Sequence, residues 1–194
     1  LFATGNENKI IEAQQTLAPL GHTVEGLLID GKRPDFNEPK ELGLEPVAEA
    51  KILQALTLIQ GTELEGSAIL VEDSGIFLDA FPNWPGAESS DVEKEIGLSG
   101  VIQKVNKSEI RGAEFRAVAI LSDGSNFWKS KGVCRGSISH EIKGQKGFGY
   151  DPIFIPSEGD GRTFGELGAE VKNQISHRKK AMQGLSNLLK SPSR

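Results

Sequence analysis

The sequence predicts an α/β fold with a mixed β-sheet and flanking helices, and three observations lead there. Short apolar runs alternate with stretches of helical periodicity through the first part of the chain. An Asp123-Gly124 turn stands between two β-rich runs, a strong hairpin signal, so the sheet is expected to be mixed and not purely parallel. The length of 194 residues suits one domain over 1–194, or one domain with two lobes, and is enough to bury a proper core.

In chain order, Leu1 to Ala3 form a short apolar strand that stops at Thr4-Gly5. A helix is expected from about Asn6 to Pro19, with Ile10, Ala13, Leu17 and Leu20 on one face and Gly21 as its stop. A second strand follows at Val24 to Ile29, and "DGKRPDFNEPKELGLEP" reads as a loop rich in turn residues. Pro46 fits the first turn of a helix whose apolar face is Val47, Ala50, Leu53, Leu56 and Ile59, ended by Gly61. "SAILVEDSG" is a buried strand that continues into "IFLDAF", and "PNWPGAESS" is a loop. A helix is expected from Asp91 to Asn106, then the hairpin "FRAVAILSDGSNFWKSKGVCRGSIS". The glycine-rich, aromatic "KGQKGFGYDPIFIP" is a loop, Ser176 caps the final helix, and the terminal "SPSR" is expected to fray.

Composition narrows the function classes. Hydrophobic residues make up 37% and charged residues 25%, which argues against wholesale disorder and against a fibrous protein. A formal net charge of −5 counts against a protein that grips nucleic acid through its backbone. With one cysteine, Cys134, there is no internal disulfide and no zinc-thiolate site, and the cytoplasm is the expected setting. No apolar run approaches the ~18–20 residues a membrane span needs, and nothing near the start resembles a signal peptide. The first residue is Leu1 and not methionine, so a few residues are expected ahead of it.

Four stretches could carry chemistry. "LFATGNENK" places strand, glycine turn and helix N-terminus in succession. Either it is a plain cap with Lys9 exposed, or the amides of Gly5, Asn6, Glu7, Asn8 and Lys9, with the Thr4 hydroxyl, grip phosphate while Lys9 neutralises charge. "ILVEDSG" sets Glu72 and Asp73 at the end of an apolar strand, where one acid must turn inward. Such a carboxylate is salt-bridged, or holds a hard cation such as Mg²⁺, or orients a water; Glu38, Glu41 and Glu45 are the candidate second carboxylates. "GFGYDPIF" is a tight turn whose rings plug the core, or a platform on which a purine stacks. "KNQISHRKKA" puts Lys172, His177 and Arg178 around a helix start, where cations oppose the dipole unless an anion or polar base joins them.

Taken together and in this order, "FATGNENK", "LVEDSG" with "PG" following, "GFGYDPIF" with "TFGEL", and "KNQISHR" closely resemble the inosine/xanthosine triphosphate pyrophosphatase family over essentially the whole chain. The resemblance implies a long mixed sheet and two lobes around a central substrate cleft (ITPase/Maf-like), in a homodimer. The implied activity is Mg²⁺-dependent hydrolysis of ITP, dITP and XTP to the monophosphate and pyrophosphate, clearing deaminated purines from the nucleotide pool. Carried over by motif, Thr4 to Lys9 would grip the triphosphate and Asp73 would be the general base and a metal ligand, with Ser74 touching substrate. Phe148, Gly149, Tyr150 and Asp151 would form the nucleoside pocket, and Lys172, His177 and Arg178 the remaining contacts. Glu41 would be the metal-binding glutamate and Lys51 a phosphate contact. Two departures stand out: "AESSDVEK" where many members have a tyrosine and a basic residue, and Gly165 where alanine is usual.

The parts imply a mechanism without a covalent intermediate. Cations Lys9, Lys51 and Lys172 with Mg²⁺ offset about four negative charges, and a water oriented by Asp73 attacks the α-phosphorus. A donor from Arg178 or a backbone N–H aimed at the purine 6-oxo group would reject adenine. The partner is thus a small-molecule nucleotide, with no membrane and no nucleic acid expected. The rivals are a pyrophosphatase for other modified nucleotides, an RNA- or nucleotide-binding module without catalysis, and a plain phosphatase.

Overall fold

The computed structural model describes residues 1–190, so the expectation for "SPSR" lies outside the described residues. Its axis is a long strand, β1 (Ile69–Leu78), inside a five-stranded antiparallel sheet of order β2-β1-β3-β4-β5. Strands β3 (Gly112–Ser122) and β4 (Phe127–Ile138) form the expected hairpin. Asp123 Oδ1 accepts the amides of Ser125 (2.9 Å) and Asn126 (2.7 Å), which closes the turn between them. The edges are short: β2 (Phe81–Pro85) on one side and β5 (Phe154–Pro156) on the other.

Two expectations are corrected here. The opening strand and the strand at Val24 to Ile29 shrink to isolated bridges, with Phe2 pairing in parallel with both Gly26 and Leu70. The Phe2 amide donates to Glu25 O (2.6 Å) while the Ala3 amide donates to Leu70 O (2.8 Å). The segment is therefore a wedge between two neighbours, and Thr4 leaves it before a ladder can build. Residues 82–85, expected as loop, instead join Phe81 in a strand that pairs with the end of β1, where an edge position tolerates the prolines.

Alternation along the strands sends side chains into two layers. Leu70, Ala117 and Ala119 pack under α1 (Glu7–Leu17) and α6 (His177–Lys190). Ile69, Val71, Val118 and Ile120 pack under α2 (Leu44–Ile59) on the opposite face. Toward the other end, Ile76, Leu78 and Phe115 join Val92, Phe154 and Phe164 in a separate core. That second lobe is built from α3 (Ser89–Asn106), interrupted at Gly97 (φ +64°), and α4 (Phe164–Leu167). It leads through α5 (Ala169–Ile175) to Ser176 and α6.

Two glycines set how closely the lobes approach. A Cβ on Gly75 would overlap the Gly86 carbonyl, so only glycine lets the turn before α3 lie on β1. A Cβ on Gly132 would overlap the His177 carbonyl, so glycine also seats the start of α6 against β4. Gly75 lies on β1 and Gly132 stands across β3 from Ser74, through Ala117, so both contacts flank this stretch of the sheet, at the seam between the lobes.

Candidate active site

A cleft of about 380 Å³ opens at that seam. Its lining brings together Thr4, Gly5, Asn6, Lys9, Lys51, Asp73, Ser74, Phe148, Gly149, Tyr150, Asp151, Lys172, His177 and Arg178, drawn from segments up to 174 residues apart. Three expected residues stay outside it. Glu7 points to solvent and pairs with Arg33, Asn8 is exposed with its amide on Asn6 Oδ1 (2.9 Å), and Glu41 lies exposed on the 40–42 turn. The carboxylate that faces the cleft from this loop is Glu38, bonded to Lys51 (2.9 Å). Pro39 and the tight turn after it rotate Glu41 outward. Glu45 is spent on Lys129 and Lys131.

The opening segment satisfies much of its own backbone. Asn6 caps α1 and its own amide donates to Thr4 Oγ1 (3.2 Å), while the Lys9 amide donates to Asn6 O (3.1 Å). The amides of Asn6, Asn8 and Lys9 are therefore engaged within the segment. What it presents to the cleft is the Thr4–Asn6 turn and the Lys9 ammonium.

A chain of alternating charges runs along the cleft, with Glu72 and Glu12 buried behind its lining. Lys9 pairs with Glu72 (2.8 Å), Glu72 with Arg178 (3.2 Å), Arg178 with Glu12, Glu12 with Lys172 (3.0 Å) and Lys172 with Asp151 (2.7 Å). Burial pushes the Glu72 carboxyl up, but the Arg178 and Lys9 charges overcome it and hold the group well below the usual range. Glu12 is held low against its burial in the same way, by Arg178 and Lys172. Sequence reasoning passed over Glu12, although its place beside Ala13 and Thr16 on the buried face of α1 signals a carboxylate that needs a cation.

Asp73 differs. Alternation puts it on the α2 face, away from that chain, where Lys51 stands 3.9 Å from Oδ1 and Oδ2 is buried with no hydrogen-bond partner. Burial raises its pKa to about 6, with Lys9 and Lys51 opposing the shift and Glu72 and Glu38 adding to it. A carboxylate poised near neutrality, aimed at a cleft, suits proton transfer. Asp73 and Glu38 also form an oxygen donor pair. It fits a hard divalent cation that takes one or two carboxylates and completes its shell with water and phosphate. Among the described residues no group of three or more His, Cys, Asp or Glu side chains is placed to hold a metal ion.

One end of the cleft is built on Phe148. Lys172 Nζ lies 4.3 Å from its ring centroid and the Arg178 guanidinium 5.8 Å, so cations already line the ring. Tyr150 is a core residue whose hydroxyl donates to Ser89 O (2.9 Å), which ties this loop to the start of α3. Asp151 accepts the Phe148 amide (2.9 Å) and fixes the turn. His177 stacks on Phe115 (4.6 Å, 10°), and burial together with the Arg178 charge keeps it neutral. Its Nδ1 and the Arg178 Nε are buried without partners. The departing segment also contributes: Ser89, Ser90 and Glu93 line the cleft, as does Lys40, whereas Glu88 is exposed.

The family model described as Ham1 family matches residues 1–188. A dITP/XTP pyrophosphatase of Methanopyrus kandleri is 40% identical over 192 residues, which cover 98% of this chain and 96% of that one. One from Hyperthermus butylicus is 35% identical, covering 98% and 94%. The solved Ham1 protein of Staphylococcus aureus superposes with a TM-score of 0.79 at 27% identity, covering 97% of this chain and 96% of its own. No helix of the described residues is long and apolar enough to cross a membrane.

Proposed function

Since the chain belongs to the Ham1 family, we propose that it hydrolyses deaminated purine nucleoside triphosphates, ITP, dITP and XTP, to the monophosphate and pyrophosphate. The observation that carries the reading is Asp73: a buried carboxylate of raised pKa, unpartnered at Oδ2, on a cleft wall that faces several cations. Lys9 and Lys51 stand around it to meet phosphate oxygens. Asp73 accepts the proton of a water directed at the α-phosphorus, and its raised pKa makes it a competent base near neutral pH. Glu38 and Asp73 would hold Mg²⁺, which when bound supplies charge neutralisation on the departing pyrophosphate. The metal glutamate is thereby assigned to Glu38 in place of Glu41.

At the other end Phe148 offers a ring face to the purine, and the unfilled Arg178 Nε is a donor suited to a 6-oxo group. Adenine would set its amino donor against that donor, a mismatch of the kind that rejects a substrate strongly. A cytoplasmic homodimer completes the reading. The deciding experiment incubates the protein with ITP, XTP, dITP, GTP, ATP and dTTP, with and without Mg²⁺, and identifies the ion released. Metal-dependent pyrophosphate from ITP, dITP and XTP is the expected result. Orthophosphate, or tight RNA binding without turnover, would overturn it.

A further inference from the structure

The cleft cations are not held alike. Lys9, Lys51 and Lys172 are largely buried, with side-chain exposures of 14%, 7% and 4%, each against a carboxylate that is itself buried or half-buried. Lys40 is the exception. It lines the same cleft from the turn before α2, is 27% exposed, and bonds Asp91 Oδ2 in the first turn of α3 at 2.7 Å. Asp91 is 52% exposed, so the pair crosses the cleft mouth from one lobe to the other through solvent. Glu38, 3.7 Å away, is the other carboxylate in reach, and it is already taken by Lys51.

We infer that Lys40 is a further triphosphate-binding residue, parked on Asp91 while the cleft is empty and transferred to phosphate oxygen when a nucleotide enters. Lys40 is half-buried but its partner Asp91 is exposed, and an ion pair with one partner in solvent is weak and screened, so it is a poor brace for the fold. The lysine stem is flexible and its ammonium is a compact charge, which suits it to swing between acceptors. Phosphate is the stronger acceptor, because a triphosphate carries several charges and Asp91 only one. The inference rests on the nucleotide reading of the cleft.

The two partners of the pair therefore predict opposite signs. Calorimetric titration of the intact protein with inorganic tripolyphosphate, without metal, reads this apart from turnover. Lys40→Met should weaken binding about tenfold, as loss of one charge-assisted contact does. Asp91→Asn releases the ammonium and should tighten binding about two- to threefold, with KM for ITP moving the same way in each variant. Shifts of the same sign in both variants, or no shift in Lys40→Met, would make the pair a brace between lobes and overturn the inference. Thermal unfolding of each variant, expected within a few degrees of the parent, separates a binding change from a folding defect. If the parent protein binds no tripolyphosphate and turns over no nucleotide, the underlying reading falls; if it does both and only the signs fail, Lys40 alone is misassigned.

Discussion

Glu72 and Asp73 are neighbours on β1, yet the two faces of the strand treat them in opposite ways. Under α1 and α6, Glu72 is fully buried and meets Lys9 and Arg178, so its charge is compensated and becomes part of the architecture. Under α2, Asp73 is nearly as buried but has Lys51 only at 3.9 Å and Oδ2 with no hydrogen-bond partner. A single-residue step along a strand reverses the side-chain direction, and here it separates a well-paired acid from one left largely unpaired. Compensation, not burial, is what distinguishes them: the group left electrostatically unfinished is the one with capacity for substrate, water or metal.

The most forceful way to break this comparison is Asp73→Asn. Loss of the base should lower kcat by about 10³ or more, with nucleotide still bound, measured by pyrophosphate release and calorimetry. Stability should move the other way. The Asp73 pKa is raised from 3.8 to about 6, so its ionised form weakens the fold. That cost is absent below about pH 4, grows between pH 4 and 6, and is complete above, roughly 2–3 kcal/mol at neutral pH. Denaturant unfolding of Asp73→Asn should therefore show a gain that appears only as pH rises through this window. The same titration predicts that kcat/KM of the parent protein climbs as pH passes about 6. Near-normal turnover in the variant would remove Asp73 from the chemistry.

Glu72→Gln is the mirror test and should be read first as unfolding. It strips a carboxylate from Lys9 and from Arg178, which keeps Glu12, so a loss of about 3 kcal/mol is expected at neutral pH. Because the Glu72 pKa is depressed below 4.5, its contribution is present above that value and fades only in stronger acid. The penalty of the variant should accordingly shrink well below pH 4.5. A variant as stable as the parent would erase the contrast between the two acids. The same geometry means that Lys9→Ala does not report on phosphate binding alone, since Lys9 also partners Glu72.

How much of this was legible follows from what each signal encodes. The hairpin, the helices and the buried acid pair were readable because turn chemistry and periodicity are local, and Asn6, Ser176 and Asp123 stand where expected. The wedge at Phe2 was not, because whether three residues form a ladder depends on neighbours 24 and 68 positions away. Most of the cleft was named from its motifs, yet Lys40 and Glu93 in its lining and Glu12 behind it were missed, since a charged residue on a helix or in a polar loop reads as solvated until tertiary contacts show otherwise. Alternation said that one of Glu72 and Asp73 must face inward. Only the helices on either side decide that both do, and which of them is paired.

The choice between Glu38 and Glu41 is the smallest and most local test. "NEPKELG" offers two glutamates three residues apart, and in a regular helix both would share a face. Here Pro39 breaks that relation: only the 40–42 turn is helical, so Glu38 faces Lys51 and Asp73 while Glu41 faces water. Burial and the Lys51 charge act in opposite directions on Glu38, and Lys51 prevails, holding it as a carboxylate below its usual range. Glu38→Gln should cost about 10–100-fold in kcat/KM and raise the Mg²⁺ concentration needed for half-maximal rate, as loss of a ligand or its immediate support does. Glu41→Gln should leave both unchanged, with stability within about 0.5 kcal/mol of the parent. If the effects were exchanged, Asp73 would have to draw its second carboxylate from the outward turn, and the loop before α2 would need a different path over the cleft.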